Sequence, residues 1–221
     1  MHRPASAPIA RSSTTTRRTL LATGAAAVAT LALPALPGRT WAQVRLLQPT
    51  PSQTEGPFYP LALPADSDFD LLRNGYASYP LGQPAWVEGT VADTAGRPVS
   101  GAVVEIWQCD QAGHYHHPGD GGQADPAFQG FGRVTVGSDG RYRFRTLRPA
   151  PYSGRTPHIH VKVRLGRREL LTTQLYVAGD AGNARDFLWQ RLNAPGRAAL
   201  TVPFAPDTDG LRARFPIIVQ A

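Results

Sequence analysis

The sequence predicts an all-β protein, built as a single β-sandwich domain with an extended N-terminal arm and one short helix. Short segments rich in β-branched and aromatic residues recur at roughly ten-residue spacing, and Asp, Gly and Pro fill the joints between them. A helical pattern is confined to 181–192, whereas the arm, 43–84, carries many prolines. Residues 43–221 are numerous enough to bury one core.

The predicted strands follow one another along 85–221, separated by turn residues. Asp93-Thr-Ala-Gly96 and Gly137-Ser-Asp-Gly140 supply the Asp and Gly that tight turns require. Between Arg141 and Arg145 the arginines alternate with Tyr142 and Phe144, which indicates a strand with one buried face. The eight predicted strands are 85–92, 102–108, 131–136, 141–145, 158–165, 169–177, 198–204 and 211–219.

The formal charge of +7, from 23 basic and 16 acidic residues, at first suggests a nucleic-acid partner. Five of the basic residues lie in 1–42, which holds no acidic residue, so 43–221 carries 18 basic residues against 16 acidic ones. A nearly balanced surface is not that of a protein that neutralises many phosphates. We therefore expect no nucleic-acid partner.

Residues 1–42 have the charged, apolar and small-residue parts of an export signal. Arg17 and Arg18 directly precede an alanine-rich apolar run, 20–36, and this order is similar to that of a twin-arginine leader. We expect an exported protein, periplasmic or extracellular, with cleavage near Ala42. An uncleaved membrane anchor is the alternative, but a short run interrupted by Gly24 would span a bilayer poorly.

His158 and His160 open a predicted strand in the sequence His-Ile-His. A spacing of i, i+2 on a strand puts both imidazoles on one face, where they can converge on one metal ion. Taken alone the pattern is weak, because two surface histidines, or one buried and one exposed, would look the same. The crowding of His114, His116 and His117 around Tyr115 equally fits a solvated polar loop.

Two tyrosines lie in segments that constrain the backbone near these histidines. Tyr115 is in the glycine-containing loop 113–119, and Tyr152 follows two prolines shortly before the histidine strand. A phenol has a pKa of about 10, so it ionises near neutral pH only beside a strong Lewis acid. Phenolate and imidazole together suit a hard, highly charged ion such as Fe(III) better than zinc or Cu(I).

The sequence resembles the intradiol ring-cleaving catechol dioxygenases, and within them the protocatechuate 3,4-dioxygenase type. The resemblance covers most of 43–221 and consists of many ordered matches. The matching segments are Gln53-Thr-Glu-Gly-Pro-Phe-Tyr59, Gly101-Ala-Val-Val-Glu-Ile-Trp-Gln108, Gly113-His-Tyr115, Gly130-Phe-Gly-Arg133, Tyr142-Arg-Phe-Arg-Thr146, Pro149-Ala-Pro-Tyr152, Arg155-Thr-Pro-His-Ile-His160 and Thr173-Gln-Leu-Tyr176.

The resemblance implies a mononuclear non-haem Fe(III) held by Tyr115, Tyr152, His158 and His160, with the first two as tyrosinates. It makes 85–221 the Fe(III)-binding catalytic domain, with a catechol-type substrate and O2 as reactants. The ring would open between its two hydroxylated carbons to give a cis,cis-muconate-type diacid.

The resemblance also implies roles beyond metal binding. Tyr152 would leave the metal and accept a substrate proton. Arg155 would stabilise the carbanion character that develops on the ring. Gln174 would be an amide near the substrate and oxygen site, although a strand glutamine that bonds a neighbour is an alternative.

The sequence departs from the protocatechuate type at the segment between Tyr152 and Arg155. Only Ser153 and Gly154 lie there, whereas the protocatechuate enzymes carry a longer segment with a tryptophan. We therefore expect a more open pocket and a bulkier or differently substituted catechol. Because this chain carries all four implied ligands, it could act without a different partner subunit, as a single chain or a homo-oligomer.

Two alternatives belong to other classes of protein. One is an exported β-sandwich ligand-binding module whose His and Tyr residues are surface aromatics. The other is a zinc or copper protein that uses His158 and His160. Both predict that Tyr115 and Tyr152 are dispensable, which separates them from the dioxygenase hypothesis.

Overall fold

Two five-stranded β-sheets dominate residues 46–221, the part of the chain that the structure, a computed structural model, describes. Buried side chains from both sheets form one continuous hydrophobic core, in which Val87 and Phe144 of the first sheet join Ile106 and Ile159 of the second. This arrangement confirms the all-β class and the β-sandwich. The predicted export signal, 1–42, lies outside the described residues.

The first sheet is organised around one long strand, β3, Pro84–Asp93. Strand β6, Arg141–Leu147, pairs with it antiparallel, and its inward-facing Tyr142 and Phe144 are buried as predicted. Parallel to β3 run β11, Gly210–Arg214, and β12, Ile217–Val219. The edge strand β10, Ala205–Asp207, completes the sheet beside β11.

The second sheet carries the predicted histidine strand near its centre. Its order is β5, Phe131–Thr135; β4, Val103–Trp107; β7, His158–Leu165; β8, Arg168–Val177; and β9, Thr201–Val202. Strands β7 and β8 form a hairpin, while β9 is parallel to β8. Strand β4, on the other side of β7, is also antiparallel to it.

The structure corrects three of the predicted elements. The helical pattern at 181–192 forms a 3-10 turn at Asn183–Arg185 followed by helix α1, Phe187–Gln190. The predicted strand 198–204 contains the end of a second helix, α2, Ala194–Leu200, before β9 begins. Asn193 caps that helix by accepting a hydrogen bond from the Gly196 amide.

The third correction concerns 211–219, which forms β11 and β12 rather than one strand. The interruption at Phe215 and Pro216 packs its backbone against Gly89 of β3. A Cβ at Gly89 would lie 2.1 Å from the Phe215 carbonyl oxygen, so only glycine fits this crossing. Tyr142 also donates a hydrogen bond from its hydroxyl to that carbonyl.

The described part of the N-terminal arm, 46–84, lies against the sandwich. Its amides at Leu47, Thr50 and Gln53 donate to the carbonyls of Thr94, Ile218 and Thr172. Further along, a small hairpin forms from β1, Arg73–Asn74, and β2, Ala77–Ser78. Across 46–221, no helix combines the length and apolar character needed to cross a membrane.

Candidate metal centre and active site

The two histidines of β7 point to the same side of the second sheet, as their spacing predicts. Both are 1% exposed, and their Nε2 atoms lie 3.2 Å apart. The Nδ1 atom of His158 is 2.6 Å from the Thr156 carbonyl oxygen. If that nitrogen donates its hydrogen, the Nε2 lone pair of His158 faces His160 and is free to bind a metal ion.

Tyr115 and Tyr152 complete a ring of four side chains with these histidines. The ring centroids of Tyr115 and Tyr152 are 4.9 Å apart, those of Tyr152 and His158 5.4 Å, and those of His158 and His160 4.8 Å. The ring centroids of Tyr115 and His160 are 6.1 Å apart, so each of the four side chains lies next to two of the others. The structure thus brings together all four residues that the sequence marked as candidate ligands.

The two tyrosines differ in how far they are buried. Tyr115 is 2% exposed, and its hydroxyl is buried without a hydrogen-bond partner among the described residues. Tyr152 is half-buried. An unpartnered buried hydroxyl costs about 1–3 kcal/mol, so Tyr115 has an oxygen available to a bound cation.

The pKa shifts describe a pocket in which phenols and imidazoles are both neutral. Burial raises the pKa of Tyr115 well above its ordinary value and also raises that of Tyr152, although the charge of Arg155 opposes the latter shift. Burial, helped by the charge of Arg155, lowers the pKa of His158 to about 4. Burial and the neighbouring His158 and Arg155 lower the pKa of His160 well below its ordinary value. Neutral imidazoles are the form that binds metals.

Arg155 is held by two partners beside this ring. Its Nε donates to Asp186 Oδ2 at 2.7 Å, and its terminal NH2 donates to Gln174 Oε1 at 2.7 Å. The side-chain amide of Gln174 in turn donates to the Thr54 carbonyl at 3.1 Å. Gln174 is therefore buried with both ends of its amide bonded to the protein.

Asp186 is a residue that the sequence analysis missed. Its side chain is 0% exposed, and it accepts hydrogen bonds from Arg155, the Thr156 amide and the first amides of α1. Although burial opposes ionisation, these bonds and the charge of Arg155 hold the pKa of Asp186 below its ordinary value. Its position before a short helix was a sequence signal for an N-cap, but not for a contact with Arg155.

The arm covers the ring of four from one side. Phe58 stacks on Tyr115 with ring centroids 4.6 Å apart. Gly56 has a φ of +75°, and a Cβ there would lie 3.3 Å from His160 Cε1, so the arm backbone passes directly over that imidazole. Lys162, the next residue on the same face of β7, forms an ion pair with Glu55 and thereby ties the arm to the strand.

The other three histidines of 46–221 lie in the 113–119 loop and contact residues nearby in the chain. The His114 Nδ1 atom lies 3.5 Å from Asp120 Oδ2, and His117 Nδ1 accepts from the Gly119 amide at 3.0 Å. His116 contacts the Phe128 carbonyl through Nε2. Within 46–221 no cluster of three or more His, Cys, Asp or Glu side chains has a metal-binding arrangement.

The sequence and the fold match one family of enzymes. Residues 54–200 match the family model described as Dioxygenase. The chain therefore belongs to the intradiol ring-cleaving dioxygenases.

Three similar proteins illustrate the range of the family. The chain is 38% identical over 154 residues to the protocatechuate 3,4-dioxygenase beta chain of Burkholderia cepacia, covering 64% of this chain and 65% of that protein. It is 34% identical over 149 residues to hydroxyquinol 1,2-dioxygenase of Rhodococcus opacus, covering 59% and 47%. The dioxygenase domain of a carbohydrate-binding fusion protein from Streptomyces sp. SirexAA-E superimposes with a TM-score of 0.62 at 32% identity, covering 77% of this chain and 97% of that one.

The matched segment spans about half to two thirds of the length of the two full-length relatives. These relatives differ in the aromatic compound that their names specify. The comparisons therefore show the family to which the chain belongs, while its reaction and its substrate require a separate argument.

Proposed function

We propose that this chain uses O2 to open a catechol-type ring at a mononuclear non-haem Fe(III), with a cis,cis-muconate-type diacid as product. The observation that carries the proposal is the buried ring of two phenols and two imidazoles, in which the imidazole Nε2 atoms lie 3.2 Å apart and the Tyr115 hydroxyl has no hydrogen-bond partner within 46–221. A buried set of two phenols and two imidazoles fits a hard trivalent ion, because ionised phenols offset its charge.

Tyr115, Tyr152, His158 and His160 would hold the iron. When bound, ferric iron supplies Lewis acidity that ionises the phenols and withdraws electron density from a chelated catechol. Because burial raises the pKa of both phenols in the protein alone, their ionisation would depend on the cation.

Tyr152 is the tyrosine of this pair that an incoming substrate could reach. It is half-buried, whereas Tyr115 is buried beneath Phe58. As a phenolate, its oxygen would accept a proton from an incoming catechol and become the neutral hydroxyl. Arg155, fixed by Asp186 and Gln174, then presents a positive charge of defined position to the electron-rich ring.

Both alternatives from the sequence are disfavoured by the surroundings of the candidate ligands. A surface-binding module would expose its aromatic residues, yet Tyr115, His158 and His160 are at most 2% exposed. A zinc or copper centre built on the two histidines would normally add Cys, His or carboxylate ligands. Here two tyrosines complete the ring instead.

Ferric reconstitution tests the proposed metal centre. We expect one equivalent of iron and a visible tyrosinate-to-iron charge-transfer band, which Tyr152→Phe weakens or shifts. Tyr76→Phe is the matched control, because that side chain is fully exposed and should leave the band unchanged. A protein that stays colourless after ferric reconstitution would contradict the proposal.

We propose as substrate a catechol whose substituent is bulkier than, or different from, the carboxylate that protocatechuate carries directly on its ring. The two residues between Tyr152 and Arg155 form a tight turn, with Ser153 at φ +41° and Gly154 at φ +76°. Both are exposed and carry no aromatic group that could narrow the pocket. Oxygen uptake with a panel of catechols would rank the substrates, and the product spectra would distinguish cleavage between the hydroxylated carbons from cleavage beside them.

We also propose that residues 1–42 direct export by the twin-arginine route, which carries proteins already folded around a cofactor. The arginine pair and the moderately apolar run support this proposal. An exported enzyme would meet plant-derived catechols outside the cytoplasm.

A further inference from the structure

A cavity of about 610 Å³ adjoins the exposed side of Tyr152. Of the ring of four side chains, only Tyr152 lines it, together with Arg155. Ligand pockets of roughly 300–1,000 Å³ hold drug-sized molecules. The cavity is therefore larger than an unsubstituted catechol needs, and its contact with Tyr152 and Arg155 puts it beside the candidate metal centre.

The lining of this cavity is predominantly basic. Arg148, Arg155 and Arg185 face it, against one carboxylate, Asp180. Asp180 is already engaged, because its side chain accepts from the Gly182 amide at 2.8 Å and lies 3.6 Å from Arg148. The carboxylate therefore does not neutralise the whole lining.

Arg185 is the guanidinium that is free to meet a ligand. Arg155 is paired with Asp186, and Arg148 with Asp180. Arg185 is exposed and makes no ion pair within 46–221, and residues 1–45 contain no acidic residue that could provide one. A guanidinium binds a carboxylate through two parallel hydrogen bonds.

We propose that this cavity, the arginine subsite, binds a carboxylate carried on a short side chain of the catechol. Arg185 is the main specificity-determining residue and Arg148 assists it. The proposal rests on the proposed function, because the catechol end of the substrate would lie against Tyr152 and Arg155. The substrate class is thus a catechol with an anionic side chain, and the arginine subsite disfavours catechols with a cationic side chain.

Three catechols of similar size but different charge test the subsite in the iron-loaded enzyme. They are 3-(3,4-dihydroxyphenyl)propanoate, which is anionic, 4-ethylcatechol, which is neutral, and dopamine, which is cationic. We expect the propanoate to show the highest kcat/KM and dopamine the lowest, with about fivefold between successive compounds at low ionic strength. Equal kcat/KM values for all three would overturn the subsite while leaving ring cleavage intact.

Charge reversal at Arg185 distinguishes recognition from a folding defect. Arg185→Glu should lower kcat/KM for the propanoate about tenfold and raise it for dopamine, while 4-ethylcatechol changes little. Arg167→Glu is the matched control, since Arg167 is an exposed arginine in the turn between β7 and β8, at the end of β7 remote from His158. An equal effect of both variants on the ratio of propanoate to dopamine would overturn the proposal.

Direct binding provides a second readout, independent of turnover. Calorimetric titration of wild-type protein with the propanoate should give a Kd about tenfold lower than titration of Arg185→Glu. If no catechol is cleaved but this difference is found, the proposed function fails and the anion subsite stands. Equal Kd values for wild type and Arg185→Glu would overturn the subsite whatever the activity.

Discussion

Asp186 shows how one buried residue organises the candidate site. It binds Arg155 through Nε, accepts from the Thr156 amide, and caps α1. Thr156 contacts His158 Nδ1 through its carbonyl oxygen. The Asp186 carboxylate thus orients the Arg155 guanidinium. It also supports the backbone at Thr156, which in turn orients His158, a candidate metal ligand.

We expect Asp186→Ala to lower the free energy of unfolding by about 3 kcal/mol, because it leaves the largely buried guanidinium of Arg155 without its charge partner. Urea denaturation measures this change. Asp139→Ala is the control, since the pair between Asp139 and Arg141 is mostly exposed and its loss should cost under about 1 kcal/mol. Similar losses in the two variants would show that the contact with Arg155 does not stabilise the fold.

The buried histidines predict how the stability of the iron-free protein depends on pH. The pKa of His158 is about 4 in the folded protein and 6.5 ordinarily, so the unfolded chain binds the proton first as the pH falls. Stability from this group is complete above about pH 6.5 and decreases by about 3 kcal/mol on acidification to about pH 4. His160 shifts in the same direction.

Urea denaturation of iron-free protein between pH 7 and pH 4.5 measures this loss. His158→Gln should reduce the dependence on pH, because it removes one of the two buried histidines that take up a proton on unfolding. Tyr76→Phe is the control, since that side chain is fully exposed and the variant keeps both buried histidines. A wild-type stability that does not change across this range would contradict the prediction.

At the scale of elements, the two-residue period of β7 decides which of its side chains reach the candidate metal centre. His158, His160 and Lys162 lie on one face, where the first two meet the tyrosines and the third binds Glu55 of the arm. The arm then brings Phe58 over Tyr115. One strand therefore positions the candidate ligands and also anchors the segment that covers them.

The crossing of β3 with the segment between β11 and β12 depends on Gly89. Gly89→Ala should lower the free energy of unfolding by about 3 kcal/mol, because its Cβ would meet the Phe215 carbonyl oxygen. Gly137→Ala is the matched control, since the nearest atom to a Cβ there is 3.6 Å away. Thermal or urea denaturation compares the two. Equal stability of both variants would show that the sheet adjusts at this crossing without cost.

At the scale of the whole molecule, the two predicted functions of the chain are separable. The candidate metal centre lies in 46–221, whereas the proposed export signal lies in 1–42. The Arg17→Lys, Arg18→Lys double variant should leave the protein in the cytoplasm with its leader attached, because twin-arginine export reads the arginine pair. Cell fractionation measures this outcome.

Arg3→Lys with Arg11→Lys is the control, since it makes the same chemical change outside the pair. Export of both variants to the same extent as wild type would contradict the proposed route. A variant that begins at Gln43 should retain iron binding, which would show that the leader contributes nothing to the metal centre.

Local patterns explain which elements were predicted well. Alternation in β6 and the His-Ile-His spacing in β7 report directly on sheet faces, and the structure has both. Helix α2 was missed because apolar residues continue from Ala198 into β9, although Asn193 and the following proline were available start signals. The break between β11 and β12 depends on contact with Gly89, which is distant in the chain.

The sequence by itself determined the strand-rich fold and the strand that pairs the two histidines, because these follow from periodicity, while the resemblance to the intradiol dioxygenases implied that Tyr115 and Tyr152 lie beside them. The tertiary structure alone decided that Asp186 holds Arg155, that Phe58 covers Tyr115, and that Arg185 faces a cavity without an acidic partner. Each of these depends on segments that are far apart in the chain and meet only when the two sheets pack, so no local pattern records them.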